Sequence, residues 1–121
     1  MGMALMPATF FIGDPHFFHE KVSLIRGFEN VRDHNIFIMR KWLKQVKSED
    51  TVFVMGDCSG GNTDEEEQAL LLIRSLPGRK RLILGNHDSE SGIHKQLSPN
   101  RELFHAVFEK VSDFSQLAHN K

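Results

Sequence analysis

The chain has 121 residues, 40% of them apolar and 26% charged, with fifteen Lys and Arg against sixteen Asp and Glu for a net charge of -1. This is sequence enough for one soluble domain with a modest core, and its near-neutral balance creates no global field to draw nucleic acid or an anionic membrane. One cysteine, Cys58, excludes an internal disulfide and fits a reducing, cytoplasmic compartment, while no segment has the roughly 20 apolar residues of a membrane helix and residues 1–7 lack the pattern of a signal peptide.

In chain order, Thr9 to Ile12 reads as a first strand, apolar on successive residues and hence covered on both faces as in a parallel sheet. Gly13 lets the chain turn, and Asp14, Pro15, His16 and His19 fall in the loop beyond. Glu20 to Ile25 forms a short helix that residues 26–28 interrupt. From about Asp33 to Lys47, the apolar residues Ile36, Met39, Leu43 and Val46 recur at helical spacing, with Arg40, Lys44 and Lys47 facing water. His34 and Asn35 sit near that helix start and read as capping or surface residues.

Thr51 to Met55 is a second apolar strand, followed by a flexible loop from Gly56 to Asn62. Thr63 and Glu66 have the spacing of a capping box, the acids 64–67 suit the positive end of a helix dipole, and Leu76-Pro77-Gly78 stops the helix. The basic cluster Arg79-Lys80-Arg81 reads as a solvated turn, entering a third strand from Arg81 to Leu84. Beyond Asp88 the pattern weakens to a polar loop and a fourth strand from Ala106 to Val111. Strand, helix, strand, helix, strand implies right-handed βαβ units, so the expected class is a single α/β domain with a mostly parallel sheet.

Three apolar runs end in the same way: Ile12-Gly13-Asp14-Pro15-His16, Met55-Gly56-Asp57 and Leu84-Gly85-Asn86-His87-Asp88. Open α/β sheets hold their ligands at the carboxyl ends of their strands. Strands lying side by side therefore bring Asp14, His16, Asp57, Asn86 and His87 into one crevice. Each Asp after Gly also suits a simple turn former, and it is the repetition that favours the ligand reading. Carboxylate, imidazole and amide donors together suit Mn, Fe, Zn or Ni rather than calcium. Asp57 has two oxygens with which to bridge two cations about 3.5–4 Å apart. His87 then serves as an acid for a leaving oxygen, with Asp88 holding its ring in the required tautomer.

These motifs resemble those of the calcineurin-like metallophosphoesterases. Asp14-Pro15-His16 is similar to the family's D-x-H, Gly56-Asp57 to its second acidic motif, and Gly85-Asn86-His87-Asp88 to its G-N-H-[DE]. Phe17, Phe18 and His19 further resemble a small phosphoesterase subgroup with D-x-H-F-G-H, in which Phe18 replaces glycine and is expected to narrow the approach to the site. The resemblance implies Asp14, His16 and Asp57 around a first metal, Asp57 and Asn86 around a second, His87 on phosphate or as acid, and His19 at the rim. It also implies the N-terminal half of an αββα sandwich.

The resemblance spans residues 9–115, and no counterpart follows of the family's H-x-x-P-like and G-H-x-H motifs, so the chain reads as C-terminally truncated. Three donors plus water can hold one cation, whereas two leave the second site short. Two readings stay open. One is a phosphoesterase that acts on phosphomonoesters or phosphodiesters by metal-activated water. The other is a binding or regulatory protein that keeps half the scaffold and engages a protein partner. In either case one sheet face lacks its usual cover, which implies a homo-oligomer or a complementing chain. No membrane association is expected, nor nucleic acid other than as substrate.

Overall fold

A computed structural model describes residues 6–91, 94 and 97–113, with the order β1 (Thr9–Gly13), α1 (Glu20–Ile25), α2 (Val31–Gln45), β2 (Thr51–Met55), α3 (Thr63–Ser75), β3 (Arg79–Ile83), α4 (Arg101–Val107) and β4 (Lys110–Ser112). The four strands form one parallel sheet in the order β1-β2-β3-β4. The expected α/β class with a parallel sheet is therefore what the chain adopts. The expected fourth strand is displaced: Ala106 lies in α4, and β4 begins only at Lys110.

Parallel crossovers are right-handed almost without exception, so a sheet whose strands follow one another in sequence receives every connecting helix on one side. The register shows the result. Ile12, Val54, Leu82 and Val111 are paired across the sheet, as are Phe10 and Val52, and all six face the cluster that contains Trp42, Val46, Leu70, Ile73, Phe104 and Val107.

The other face is open over β1 and β2. Phe11 is 70% exposed and stacks on Phe53 with ring centroids 5.2 Å apart, and Met55 is exposed beside them. The reading of β1 as covered on both faces is thus corrected, because no helix crosses to that side among the described residues. The reading of a sheet with one uncovered face holds for this half of it.

Several local readings also change. Leu43 is exposed, and Trp42 takes the inward position on α2. Asn62, rather than Thr63, caps α3 by accepting the amides of Asp64 and Glu65. The run 79–81 is strand rather than turn: Arg79 and Arg81 pair with Glu109 outside, while Lys80 is buried in register with Val52 and donates to the carbonyl oxygen of Leu76 at the end of α3. That ammonium satisfies a helix-terminal acceptor, and burial pushes its pKa down. No described helix is long and apolar enough to cross a membrane.

The start of the sheet is fastened by Asp50, whose carboxylate accepts the amides of Ala8 and Lys47, each at 2.8 Å. Those two donors hold the Asp50 carboxyl below the usual carboxylate range. A depressed carboxyl pKa contributes stability that is complete above the unfolded value, about 3.9, and is lost as pH falls through the folded one. Asp50→Asn should therefore lower the thermal midpoint at pH 7. The gap to the unsubstituted chain should close as the pH falls below the unfolded value and through the lowered folded one.

Candidate metal centre

The loops after β1 and β2 are bent in a way the ordinary backbone resists. Asp14, His16 and Asp57 have φ of +43°, +47° and +49°, and Phe18 has +62°. Non-glycine residues in the left-handed region cost about 1–2 kcal/mol each, and such strain persists only where the surroundings enforce it. Three of the four are the expected metal ligands. Phe18 stands where the resembling subgroup has glycine, and its left-handed backbone is the reason glycine suits that place. Its ring is half-buried and packs against the core cluster.

The strained loops bring one carboxylate oxygen from Asp14, one from Asp57 and one ring nitrogen from His16 within 4.8 Å of one another. His16 and Asp57 are buried and Asp14 is exposed. Nε2 of His16 lies 3.7 Å from Oδ2 of Asp57. Burial pushes the His16 pKa down, and the charges of Asp57 and Asp14 partly offset this. A neutral imidazole with two carboxylates is a donor set that fits a divalent transition metal.

Two glycines permit the close approach behind this cluster. A Cβ on Gly56 would lie 2.9 Å from the Cα of Gly85, and one on Gly85 would lie 2.4 Å from Oδ1 of Asp57. Across the gap, the amide of His87 donates to Asp57 Oδ1 at 2.8 Å. Asp88 completes the join. Its fully buried carboxylate accepts the amides of Asp57 and Cys58 at 2.9 Å each and of Gly85 at 2.8 Å. Burial pushes its pKa up while the three donors oppose the rise.

This corrects the role read for Asp88. Its oxygens are engaged by backbone amides, and the His87 ring instead places Nδ1 3.2 Å from the carbonyl oxygen of Gly60. A carbonyl only accepts, so Nδ1 carries the proton and Nε2 is the nitrogen that can gain or lose one. His19, read as a rim residue, places Nδ1 3.0 Å from Nδ1 of His16. The rings of His16, His19 and His87 form a triangle with centroids 5.1, 5.6 and 6.2 Å apart. Asn86 is exposed on the same loop, and its carbonyl oxygen accepts from Nε2 of His94.

Three supports have no signal in the sequence. The Arg26 guanidinium donates to the carbonyls of Asp14 at 2.7 Å and Pro15 at 3.3 Å, and contacts Nε2 of His34 at 2.9 Å. Asn35 accepts from the amide of Phe18 at 3.2 Å and from Nδ1 of His34. His34 and Asn35 are thus buried braces rather than the capping or surface residues their position suggests, and Asn30 is the cap of α2. Glu66 likewise does not close a capping box. Fully buried, it accepts the amide and hydroxyl of Ser89 and the side-chain amide of Asn100, tying the loop that follows Asp88 to α3 and α4.

Gly85→Ala tests the close approach. The added methyl has no room beside Asp57 Oδ1, so the carboxylate must move. Divalent-metal affinity by calorimetry should fall about 10–100-fold. Unchanged affinity would show that the fit between these loops does not govern the donor geometry.

The calcineurin-like phosphoesterase profile matches residues 8–120. The Gene 66 proteins of Mycobacterium phages L5 and D29 are each 35% identical to this chain, over 113 and 112 residues. Each alignment covers 93% of this chain, and 55% and 56% of those proteins respectively. An uncharacterized protein of Methanocaldococcus jannaschii is 31% identical over 85 residues, covering 69% of this chain and 48% of that one. A crystal structure of a protein of unknown function from Aquifex aeolicus superposes with a TM-score of 0.65 at 30% identity, covering 88% of this chain and 52% of that one. The chain thus spans about half the length of the relatives it matches. With its parallel sheet, its Asp-His-Asp cluster and a profile match over nearly its whole length, the chain belongs to the calcineurin-like phosphoesterase family.

Proposed function

We propose that this chain takes part in the hydrolysis of a phosphomonoester or phosphodiester, with a divalent cation held by Asp14, His16 and Asp57. The observation that carries this reading is the meeting of those three donors, from two strand ends, within 4.8 Å. Mn, Fe, Zn or Ni suits the mixed oxygen and nitrogen set, and Mn is the metal we take first. When bound, the cation supplies positive charge to the phosphoryl oxygens and lowers the pKa of water enough to make it a nucleophile.

The protein's own groups then have separable tasks. Asp57 is held by the His87 amide through Oδ1 and faces His16 with Oδ2. Asn86 would add one donor to Asp57 toward a second cation, which two protein donors leave short. His87 is held at Nδ1 by Gly60, so Nε2 can deliver a proton to the leaving oxygen. A buried, unpaired Cys58 accords with a reducing cytoplasmic setting.

Replacing Asp57 by Asn keeps the shape and removes the charge, and should lower turnover of a bis-aryl phosphodiester by Mn-loaded protein at least about a hundredfold. Equal rates for the two proteins would sink the enzymatic reading and leave a binding role. The same proposal includes pairing of two copies over the open sheet face, where the Phe11–Phe53 stack and Met55 adjoin Arg79, Arg81 and Glu109. An apolar centre with both charge signs at its border suits a self-complementary contact. Light scattering on a sizing column should give twice the chain mass, and a monodisperse monomer would refute the pairing.

A further inference from the structure

We propose that Arg26, His34 and Asn35 form a positioning relay that holds the first metal-binding loop in its strained conformation and so sets metal affinity. The relay rests on the assignment of Asp14 and His16 as ligands, but its geometry is independent of any cation. Arg26 and Asn35 engage the loop through its backbone rather than through the donor side chains, and His34 links the two.

The loop from Asp14 to Phe18 has φ of +43°, +47° and +62° at alternate residues. A backbone bent three times into a sparsely populated region relaxes unless its polar groups are fixed. Two of them, the amides of His16 and Phe17, are fixed by the carbonyls of Asp57 and Cys58 at 2.9 and 2.8 Å. A third, the carbonyl of His16, accepts the amide of His19 at 3.2 Å. Three further contacts belong to the relay: the carbonyls of Asp14 and Pro15 on Arg26, and the amide of Phe18 on Asn35.

Arg26 is exposed, and an exposed long side chain gains conformational entropy by staying free. Here one guanidinium instead engages two successive carbonyls and a buried imidazole. Its planar fork of donors matches that task, whereas an ammonium offers a single point.

The direction of the relay follows from which groups can donate. Arginine has no acceptor, so Nε2 of His34 accepts from it and Nδ1 carries the ring proton. That proton goes to Oδ1 of Asn35, the oxygen that also receives the Phe18 amide. His34 and Asn35 lie in the first turns of α2, whose later residue Trp42 is buried in the core. The relay therefore transmits the rigidity of a packed helix to the loop.

Arg26→Ala and Arg26→Lys decide the matter, read in two ways. Without metal, hydrogen exchange at the amides of His16, Phe17 and Phe18 should quicken at least about tenfold in Arg26→Ala, with the amides of Val52, Val54 and Leu82 unchanged. In a titration with Mn²⁺ alone, Arg26→Ala should bind about tenfold more weakly or worse. Arg26→Lys should recover only part of either loss. Exchange and affinity within twofold of the unsubstituted chain would overturn the relay. So would a rise in exchange spread evenly through β2 and β3, which marks a general loss of stability. If the unsubstituted chain fails to take up Mn²⁺, the metal assignment falls and the exchange data still decide the relay.

Discussion

The Asp88 carboxylate, closed off from water and accepting amides from both Asp57-Cys58 and Gly85, is the contact on which the site depends. A sheet delivers the ends of β2 and β3 to neighbouring places but does not dictate how the loops beyond them turn. One ionisable group between the loops does so, because each of its oxygens can take more than one donor and each buried amide needs an acceptor. Gly56 and Gly85 are the complement of that carboxylate, since the gap it spans admits no side chain. Asp57 is thereby aimed toward His16 while the backbone amide of His87 donates to its other oxygen.

The handedness of the crossovers governs the rest of the architecture. With the strands in sequential order, α2, α3 and α4 gather on a single side, where Val52, Val54 and Leu82 meet Leu70, Ile73 and Phe104. That arrangement builds one solid layer behind the site and anchors both of its loops to helices. The first loop reaches α2 through Arg26, His34 and Asn35, and the loop after Asp88 reaches α3 and α4 through Glu66 and Asn100. The same arrangement leaves Phe11 in water.

The parallel sheet and the Asp-His-Asp cluster are legible in the sequence because both depend on short-range features: an apolar run, a glycine, then a polar donor. Repeated three times, that pattern locates Asp14, His16 and Asp57 without any knowledge of contacts. The braces are not legible, because each depends on a long-range partner. Nothing adjacent to Glu66 foretells Ser89, and its capping-box spacing points to a local role that Asn62 in fact performs. His34 looks like a residue of a helix start but is internal, held between Arg26 and Phe28. Lys80 appears solvated within a basic run, yet strand alternation turns it inward, to where the end of α3 presents a carbonyl. Asp88 is intermediate. Its place beside His87 suggests a side-chain pairing, but burial among amides gives it a different employment.

The lone thiol of the chain is immediately next to Asp57, wholly enclosed, and burial pushes its pKa well above the usual thiol range. A thiol so protonated and so sealed is inert to alkylating reagents in the closed fold. It is reached only when the fold around it opens. The speed at which a reagent captures Cys58 is therefore a clock for those openings, built in beside the Asp57 carboxylate and needing no added label.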